Sequence, residues 1–265
     1  MSSRNVVLVW RIALAIAALV LAIVQSLIVT KRVDWSPWVA VVAAGAVGLL
    51  AFIDNVRLAR VGFQAPERHK ARSKMHKPLI FALDAICEAR DVPLDVLGVS
   101  VFRIKRYWTR RWIFVPWRKS RLLRLFRFRL KDFPAESAVD WTMGKGAIGK
   151  CWETGIPHLE DRRQVAAEHG RGHYPNETQF AQLNEEQKSG FTRDEFVQTI
   201  DKYGEILAVP IVKESGGRSK MIGVVSIDCL LSAYAGRPDS VLDGVGIEEI
   251  AGGAASVVRD YVVKF

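Results

Sequence analysis

Apolar and polar positions follow different patterns in the first and last parts of the chain. Near the N-terminus, Ile12–Thr30 and Trp35–Ile53 are charge-free runs of 19 residues each. A helix of about 20 apolar residues crosses the ~30 Å of hydrocarbon in a bilayer. The pattern therefore predicts two transmembrane helices within residues 1–54, joined by a short turn into a helical hairpin.

The charges beside these runs predict the orientation of the hairpin. Seven Arg and Lys residues lie between Ile53 and Pro78, and positively charged flanks stay on the cytoplasmic side. Residues 55–77 are then a basic juxtamembrane helix or linker that attracts anionic lipids. We expect a multi-pass protein of the cell membrane, the inner membrane in a bacterium, with the N- and C-termini in the cytoplasm.

The remaining residues, 78–265, alternate between helical and strand periodicity. Leu79, Leu83 and Ile86 give one apolar helical face. Two apolar, β-branched runs, ILAVPIV at 206–212 and MIGVVSIDC at 221–229, are separated by a Gly/Ser/Lys turn, which is typical of a buried hairpin. The pattern predicts an α+β domain with an antiparallel sheet flanked by helices.

A glycine-rich stretch precedes this hairpin. MGKGAIGKCWETGIPHLED at 143–161 has glycines at 144, 146 and 149, where the backbone turns sharply before a short helix. The G-x-G-x-x-G spacing also occurs in dinucleotide-binding folds, but no βαβ unit surrounds it here. A structural turn is therefore the better interpretation.

The glycine turn, the AVPI strand, the GVVSID strand and the closing helix together resemble the GAF family, over roughly Met75 to Phe265. The resemblance implies a sensory or regulatory fold in which residues 159–205 cover a small-molecule pocket. The pocket residues that we expect are Phe128 and Trp141 for apolar or stacking contact and Glu153, Glu205 and Asp228 for polar contact. Neither the ligand nor any cofactor is identified by the sequence.

The closing helix carries more apolar positions, from Ile247 to Val262, than one sheet-facing stripe needs. GAF-like domains often dimerise through their first and last helices, so this surplus suits a homodimer. A helix that is buried on most sides within its own domain is the alternative.

Enzymatic chemistry is not expected. Cys87, Cys151 and Cys229 lack metal or CxxC spacing, which indicates free thiols in a reducing compartment. Ile148 stands where free methionine sulfoxide reductases of the GAF family carry the cysteine of the turn, and the Asn-Lys…Phe…Asp-Glu signature of cyclic-nucleotide GAF domains is missing. The sequence HGRGH at 169–173 has two histidines at helical spacing, but its glycines disfavour a helix and hence a metal site.

The formal net charge of +10 is concentrated in two segments, with +7 in residues 1–75, +12 in residues 96–131 and −9 elsewhere. Between predicted strands at 96–105 and 123–131 lies an insertion that mixes aromatic residues with arginine. A membrane-interface loop, a solvated loop packed on its own domain and a nucleic-acid groove are the alternatives. A membrane anchor makes nucleic acid the least natural of these partners. The residues expected at a membrane interface are Trp108, Arg110, Arg111, Trp112, Trp117 and Arg118.

The sequence therefore predicts a membrane-anchored, GAF-like small-molecule sensor or regulatory protein without a catalytic domain of its own. The alternative is a bacterial antiphage-type membrane effector, in which a (cyclic) nucleotide bound by the GAF-like domain triggers the transmembrane hairpin. The expected partners are the lipid bilayer, an unidentified small molecule and a second copy of the chain.

Overall fold

The computed structural model describes residues 15–20, 22–23, 37–112, 115–131, 133–135, 137–170 and 172–265. The chain divides into two compact units, Met1–Glu67 and Arg68–Phe265. The described residues of the first unit are helical, and helix α1 spans Pro37–Arg90.

The prediction of a transmembrane hairpin is not supported. Among the described residues, no helix is long and apolar enough to cross a membrane. The first predicted span, Ile12–Thr30, lies largely outside those residues. The second falls in α1, where seven of the residues in Pro37–Ile53 are alanine or glycine, and such small side chains add little apolar area. This finding also contradicts the predicted localisation as a multi-pass membrane protein with cytoplasmic termini.

The second unit is an α+β domain built on a five-stranded antiparallel sheet with the order β2-β1-β5-β4-β3. The predicted fold class is thus right for the sheet and its helices and wrong for the membrane hairpin. The strands are β1 (Leu97–Trp112), β2 (Val115–Arg129), β3 (His158–Asp161), β4 (Tyr203–Ser215) and β5 (Arg218–Leu230).

Helices lie between and after the strands, as the periodicity predicts. After α1, the described helices are α2 (Gly146–Thr154), α3 (Arg163–His169), α4 (Glu177–Gln182), α5 (Glu185–Lys188), α6 (Arg193–Ile200) and α7 (Val245–Val262). Short 3-10 turns occur at Leu94–Val96 and Leu231–Tyr234.

Strands β1 and β2 are longer than the sequence predicts. The segment interpreted as an insertion is mostly β-strand, with Trp108 paired to Arg118 and Trp112 to Val115, and positions 113–114 lie outside the described residues. Aromatic and β-branched residues favour the extended backbone, which accounts for the added length. Only the first part of β1, Leu97–Arg103, also pairs with β5. The six residues proposed for a membrane interface all lie in this hairpin, and their side chains are outside the description.

The sheet buries a hydrophobic layer on each face. On one face, β1, β4 and β5 pack with the end of α1 and with α7, in a core that contains Leu83, Ile86, Val99, Val101, Leu207, Val209, Val225, Ile227, Ala251 and Val258. On the other face, Phe102, Ile206, Ala208 and Val224 pack with Trp141, Ile148, Phe191, Phe196 and Ile200. Because side chains alternate along each strand, consecutive residues of a strand pack in different layers. The second layer holds the candidate site.

Candidate functional site

The glycine turn forms the base of the second layer, and it is built as the sequence predicts. Gly144 and Gly146 have φ values of 77° and 57°, in the left-handed region that favours glycine. The Gly144 amide donates to the Gly149 carbonyl at 3.0 Å, and the Gly146 amide donates to the Ser189 carbonyl at 2.7 Å. Helix α2 starts at Gly146, so the turn fixes both the helix and the loop above it.

The N-terminus of α2 is occupied by a carboxylate of the chain itself. Glu160 at the end of β3 is buried, and its Oε2 accepts a hydrogen bond of 2.5 Å from the Ala147 amide. A helix N-terminus favours negative charge because its first amides lack intrahelical partners. The glycine turn therefore acts as a structural element here, and the negative charge at the N-terminus of α2 comes from the Glu160 carboxylate.

Helices α3 to α6 form a cover over this face, which we call the lid (Arg163–Ile200). Three of its short helices begin with reciprocal capping boxes, in which Asn176 pairs with Gln179, Asn184 with Gln187 and Thr192 with Glu195. Such caps satisfy amides that short helices leave open. The Lys145 Nζ atom lies 2.9 Å from Glu195 Oε1, so α6 is tied to the glycine turn.

A small cavity of about 30 Å³ lies between the sheet and the lid. A space of this size holds a few water molecules at most. Six apolar or aromatic residues and seven polar or charged residues form its walls. The residues that line it are Ser100, Phe102, Arg124, Ser137, Trp141, Ile148, Arg162, Phe191, Thr199, Tyr203, Ile206, Ser226 and Asp228.

Arg162, between β3 and α3, is the most unusual residue of the cavity. Only 2 % of its surface is exposed. The Nη1 atom donates to Thr199 Oγ1 at 3.0 Å, the Nε atom lies 3.7 Å from Glu160 Oε1, and the guanidinium carbon lies 5.1 Å from the centre of the Phe191 ring. The Nη2 atom is buried without a hydrogen-bond partner in the described structure. Burial lowers the pKa of this guanidinium, and the charge of Glu160 opposes that shift.

A second arginine reaches across the sheet to pair with a residue of the cavity wall. Arg129 on β2 pairs with Asp228 on β5 over the intervening strand β1. The residue of β1 between them is Gly98, where a Cβ atom would lie only 2.5 Å from Arg129 Nη2. Glycine at position 98 therefore leaves the space that the ion pair needs. Burial lowers the pKa of the Arg129 guanidinium.

The structure brings two of the five predicted pocket residues to the cavity. Trp141 is buried there, with its ring centre 5.9 Å from that of Phe102, and its Nε1 atom has no hydrogen-bond partner in the described part of the chain. Asp228 lines the cavity but is paired with Arg129.

The other three predicted pocket residues lie elsewhere. Phe128 packs on the α1 side of the sheet, 5.0 Å from the His76 ring. Glu153 is exposed on α2. Glu205 is fully buried, and its Oε2 accepts hydrogen bonds from the Val241 and Leu242 amides at 3.0 and 2.8 Å. It thereby holds the loop that leads into α7.

Among the cavity residues that sequence reasoning missed are Arg162, Thr199 and Phe102. Arg162 lies in the stretch EDRRQ, whose charges suggest an exposed turn. Its burial arises only when α6 and the glycine turn close around it, and no local pattern indicates that. Phe102 could have been found, because side chains alternate along a strand and Phe102 follows Val101, which faces α1 and α7, so Phe102 lies on the opposite face of the sheet.

Neither a metal nor a reactive thiol is indicated at this site. In the described part of the chain, no group of three or more His, Cys, Asp or Glu side chains is placed to hold a metal ion. Cys151 in α2 is fully buried, and burial raises the pKa of its thiol to about 12. A thiol with this pKa is protonated at neutral pH and is a poor nucleophile.

No family model, curated protein or solved structure matches the chain. The resemblance to the GAF family therefore rests on the sequence motifs described above, and the function has to be inferred from the site itself.

We predict that Arg162→Met lowers the free energy of unfolding by about 3 kcal/mol, because it leaves the buried carboxylate of Glu160 without its ion-pair partner. Arg129→Met removes the partner of Asp228 in the same way, but Asp228 is more exposed than Glu160, so we expect a smaller loss of about 2 kcal/mol. Urea unfolding of both variants measures the losses, and an Arg162→Met variant as stable as the parent would contradict the prediction.

Proposed function

We propose that the domain of residues 78–265 is a GAF-like regulatory domain that binds a small organic molecule between the sheet and the lid. The observation that carries this proposal is the small cavity between sheet and lid, whose lining residues Arg162 and Trp141 have buried donor atoms, Nη2 and Nε1, without a hydrogen-bond partner within the described residues. Ligand sites generally combine apolar walls with a few convergent polar groups. A buried donor without an acceptor destabilises the fold, so such donors are expected where a ligand supplies the acceptor.

The size of the cavity indicates how binding would proceed. About 30 Å³ is too small for an organic ligand of more than a few atoms. A larger cleft of about 450 Å³ shares Arg162 as a lining residue and is bordered by Glu160, Gln164 and Asn184. We infer that the lid moves when the ligand enters. The lid consists of short helices joined by loops, which suits such a motion, and the change in lid position would be the regulatory signal.

Native mass spectrometry of the full chain, purified without denaturation, tests this proposal. We expect a population that carries an additional small-molecule mass. Ser226→Val on β5 should remove that population, because Ser226 is 2 % exposed and its added methyl groups would fill the cavity. Ser219→Val is the matched control, since Ser219 is exposed on the same strand.

Two results would count against the proposal. One is an adduct that persists unchanged in Ser226→Val, which would place the ligand outside the cavity. The other is a protein without any adduct that also takes up nothing from the small-molecule fraction of a cell lysate.

A further inference from the structure

Another cleft, of about 780 Å³, lies where two hairpins of the sheet diverge, and we call it the hairpin cleft. Strands β1 and β5 pair only as far as Arg103 and Gly223. Past this point, within the described residues, 104–112 of β1 pair only with β2 and 218–221 of β5 pair only with β4. Each hairpin therefore forms one wall. The volume is in the range of ligand-binding clefts, about 300–1,000 Å³.

The hairpin cleft is positively charged on both walls. Arg103 and Arg106 line it from β1, and Lys213 and Lys220 line it from β4 and β5. None of these four cations forms an ion pair within the described residues, and no described carboxylate lines the cleft. Glu214, the acidic neighbour of Lys213 in sequence, is exposed and lies outside the lining. The protein itself therefore leaves this positive charge uncompensated.

Two of these cations face each other in an arrangement that does not favour folding. Lys213 and Lys220 are directly opposed in the register of the β4–β5 hairpin. The Cβ atoms of opposed residues lie about 5 Å apart, and like charges at such positions repel each other. Both lysines are exposed, so salt and solvent weaken the repulsion. An anion bound in the cleft would replace the repulsion by attraction.

Apolar side chains complete the lining. Trp152 of α2 is half-buried and lines the cleft together with Met143 and Met221. Glu153, which follows Trp152, is exposed and does not line the cleft. Proteins that bind single-stranded nucleic acid combine a positively charged groove, which follows the phosphates, with aromatic side chains on which bases stack. The hairpin cleft has both features.

The β1–β2 hairpin extends the same charge beyond the cleft. Residues 104–121 include seven Lys or Arg and five aromatic residues but no acidic residue. At about 3.3 Å per residue, 104–112 of β1 reach about 30 Å past the end of the pairing with β5. Nucleic acid is one of the three partners that the sequence leaves open for this segment. A flexible polyanionic chain can contact both walls of a concave cleft, whereas a flat bilayer surface cannot enter it.

From these observations we propose that the hairpin cleft binds single-stranded nucleic acid. The phosphates lie against Arg106, Lys213 and Lys220, and a base stacks on Trp152. This inference is independent of the function proposed for the cavity under the lid, because no residue lines both places.

Fluorescence anisotropy of the full chain with labelled oligo-dT and oligo-rU of about 20 nucleotides tests the inference. We expect binding that weakens as salt increases, because counterions are released from the phosphates. Comparison of the two probes shows whether DNA or RNA is preferred. An abasic oligonucleotide of the same length should bind at least about fivefold more weakly, because it has no base to stack on Trp152.

The variant Lys213→Gln/Lys220→Gln tests the site. It should bind oligo-dT about tenfold more weakly, and the slope of log K against log salt should become shallower by about 1.4, since each phosphate contact contributes about 0.7. The matched control is Lys74→Gln/Lys77→Gln, which removes the same charge from exposed positions of α1 outside the cleft. The control should retain the slope of the parent. Thermal unfolding verifies that both variants are folded.

Four outcomes would overturn the inference. Failure of both oligonucleotides to bind the parent would refute nucleic acid as the ligand. Equal effects of the two lysine pairs would refute the cleft as the site. Displacement of oligo-dT by polyglutamate of the same charge as effectively as by unlabelled oligo-dT would indicate an acidic peptide instead. Binding to phosphatidylserine vesicles but to neither oligonucleotide would indicate a lipid surface. In each case the adduct mass and the Ser226→Val comparison still judge the proposed function separately.

Discussion

Glu205→Ala is expected to lower the free energy of unfolding by about 4 kcal/mol, which is a drop of roughly 8–16 °C in the thermal midpoint of a domain of this size. Glu205 is fully buried, and its Oε2 is the acceptor for the amides of Val241 and Leu242. Its Oε1 lies 3.4 Å from Arg163 Nη2. Alanine would leave two buried amides without an acceptor, whereas Arg163 would keep its closer ion pair with Asp161.

Two further variants separate these contributions. Glu205→Gln retains an acceptor oxygen for the two amides and loses the charge, so we expect a smaller loss of about 1–2 kcal/mol. Glu214→Ala on the same strand changes an exposed side chain and should alter stability by less than about 0.5 kcal/mol. Thermal and urea unfolding provide the measurements. A Glu205→Ala variant as stable as Glu214→Ala would show that the loop before α7 is held by other contacts.

The sequence predicts those parts of the fold that local pattern determines. The runs at 206–212 and 221–229 lie in the antiparallel strands β4 and β5, because an apolar, β-branched stretch around a Gly/Ser/Lys turn has few other ways to bury itself. The glycines at 144 and 146 adopt the positive φ values that their spacing before a helix indicates. Composition and periodicity suffice at both places because the determining contacts are close in sequence.

Residues whose role depends on distant contacts escape prediction. Arg162 is surrounded by charged residues in the sequence and by Phe191, Phe196 and Thr199 in the fold. Glu205 and Asp228 look alike as acidic residues in apolar strands, yet one lies on the α7 side and the other on the lid side. The face on which a strand residue lies depends on the register of the whole sheet.

Two further predictions differ from the structure, each for its own reason. The interpretation of 35–53 as a membrane span rested on its length and lack of charge, and no described helix is long and apolar enough to cross a membrane. The placement of Phe128 in the pocket assumed regular alternation along β2. A register shift between Val101 and Phe102 breaks that alternation, and both Leu125 and Phe126 are buried on the α1 side.

Gly149→Ala is expected to cost about 3 kcal/mol of stability and to weaken ligand binding at the same time. A Cβ atom at position 149 would overlap the Thr142 carbonyl oxygen and lie 3.2 Å from the Gly144 nitrogen. Both neighbours are backbone atoms of the turn, so the turn has to move rather than a side chain, and overpacking of this kind costs 1–3 kcal/mol or more. The displacement would reach Ile148 in the cavity wall and the Ala147 amide that holds Glu160.

The matched control is Gly253→Ala in α7, an exposed helical glycine with no atom within 4 Å of the added Cβ. The same chemical change should there raise stability by about 0.5–1 kcal/mol, because alanine loses less backbone entropy than glycine in a helix. Urea unfolding measures both variants, and hydrogen exchange of the Ala147 amide reports on the turn itself. If Gly149→Ala proved as stable as the parent and kept that amide protected, the glycine turn would not be the rigid base on which α2 and the Glu160–Arg162 pair depend.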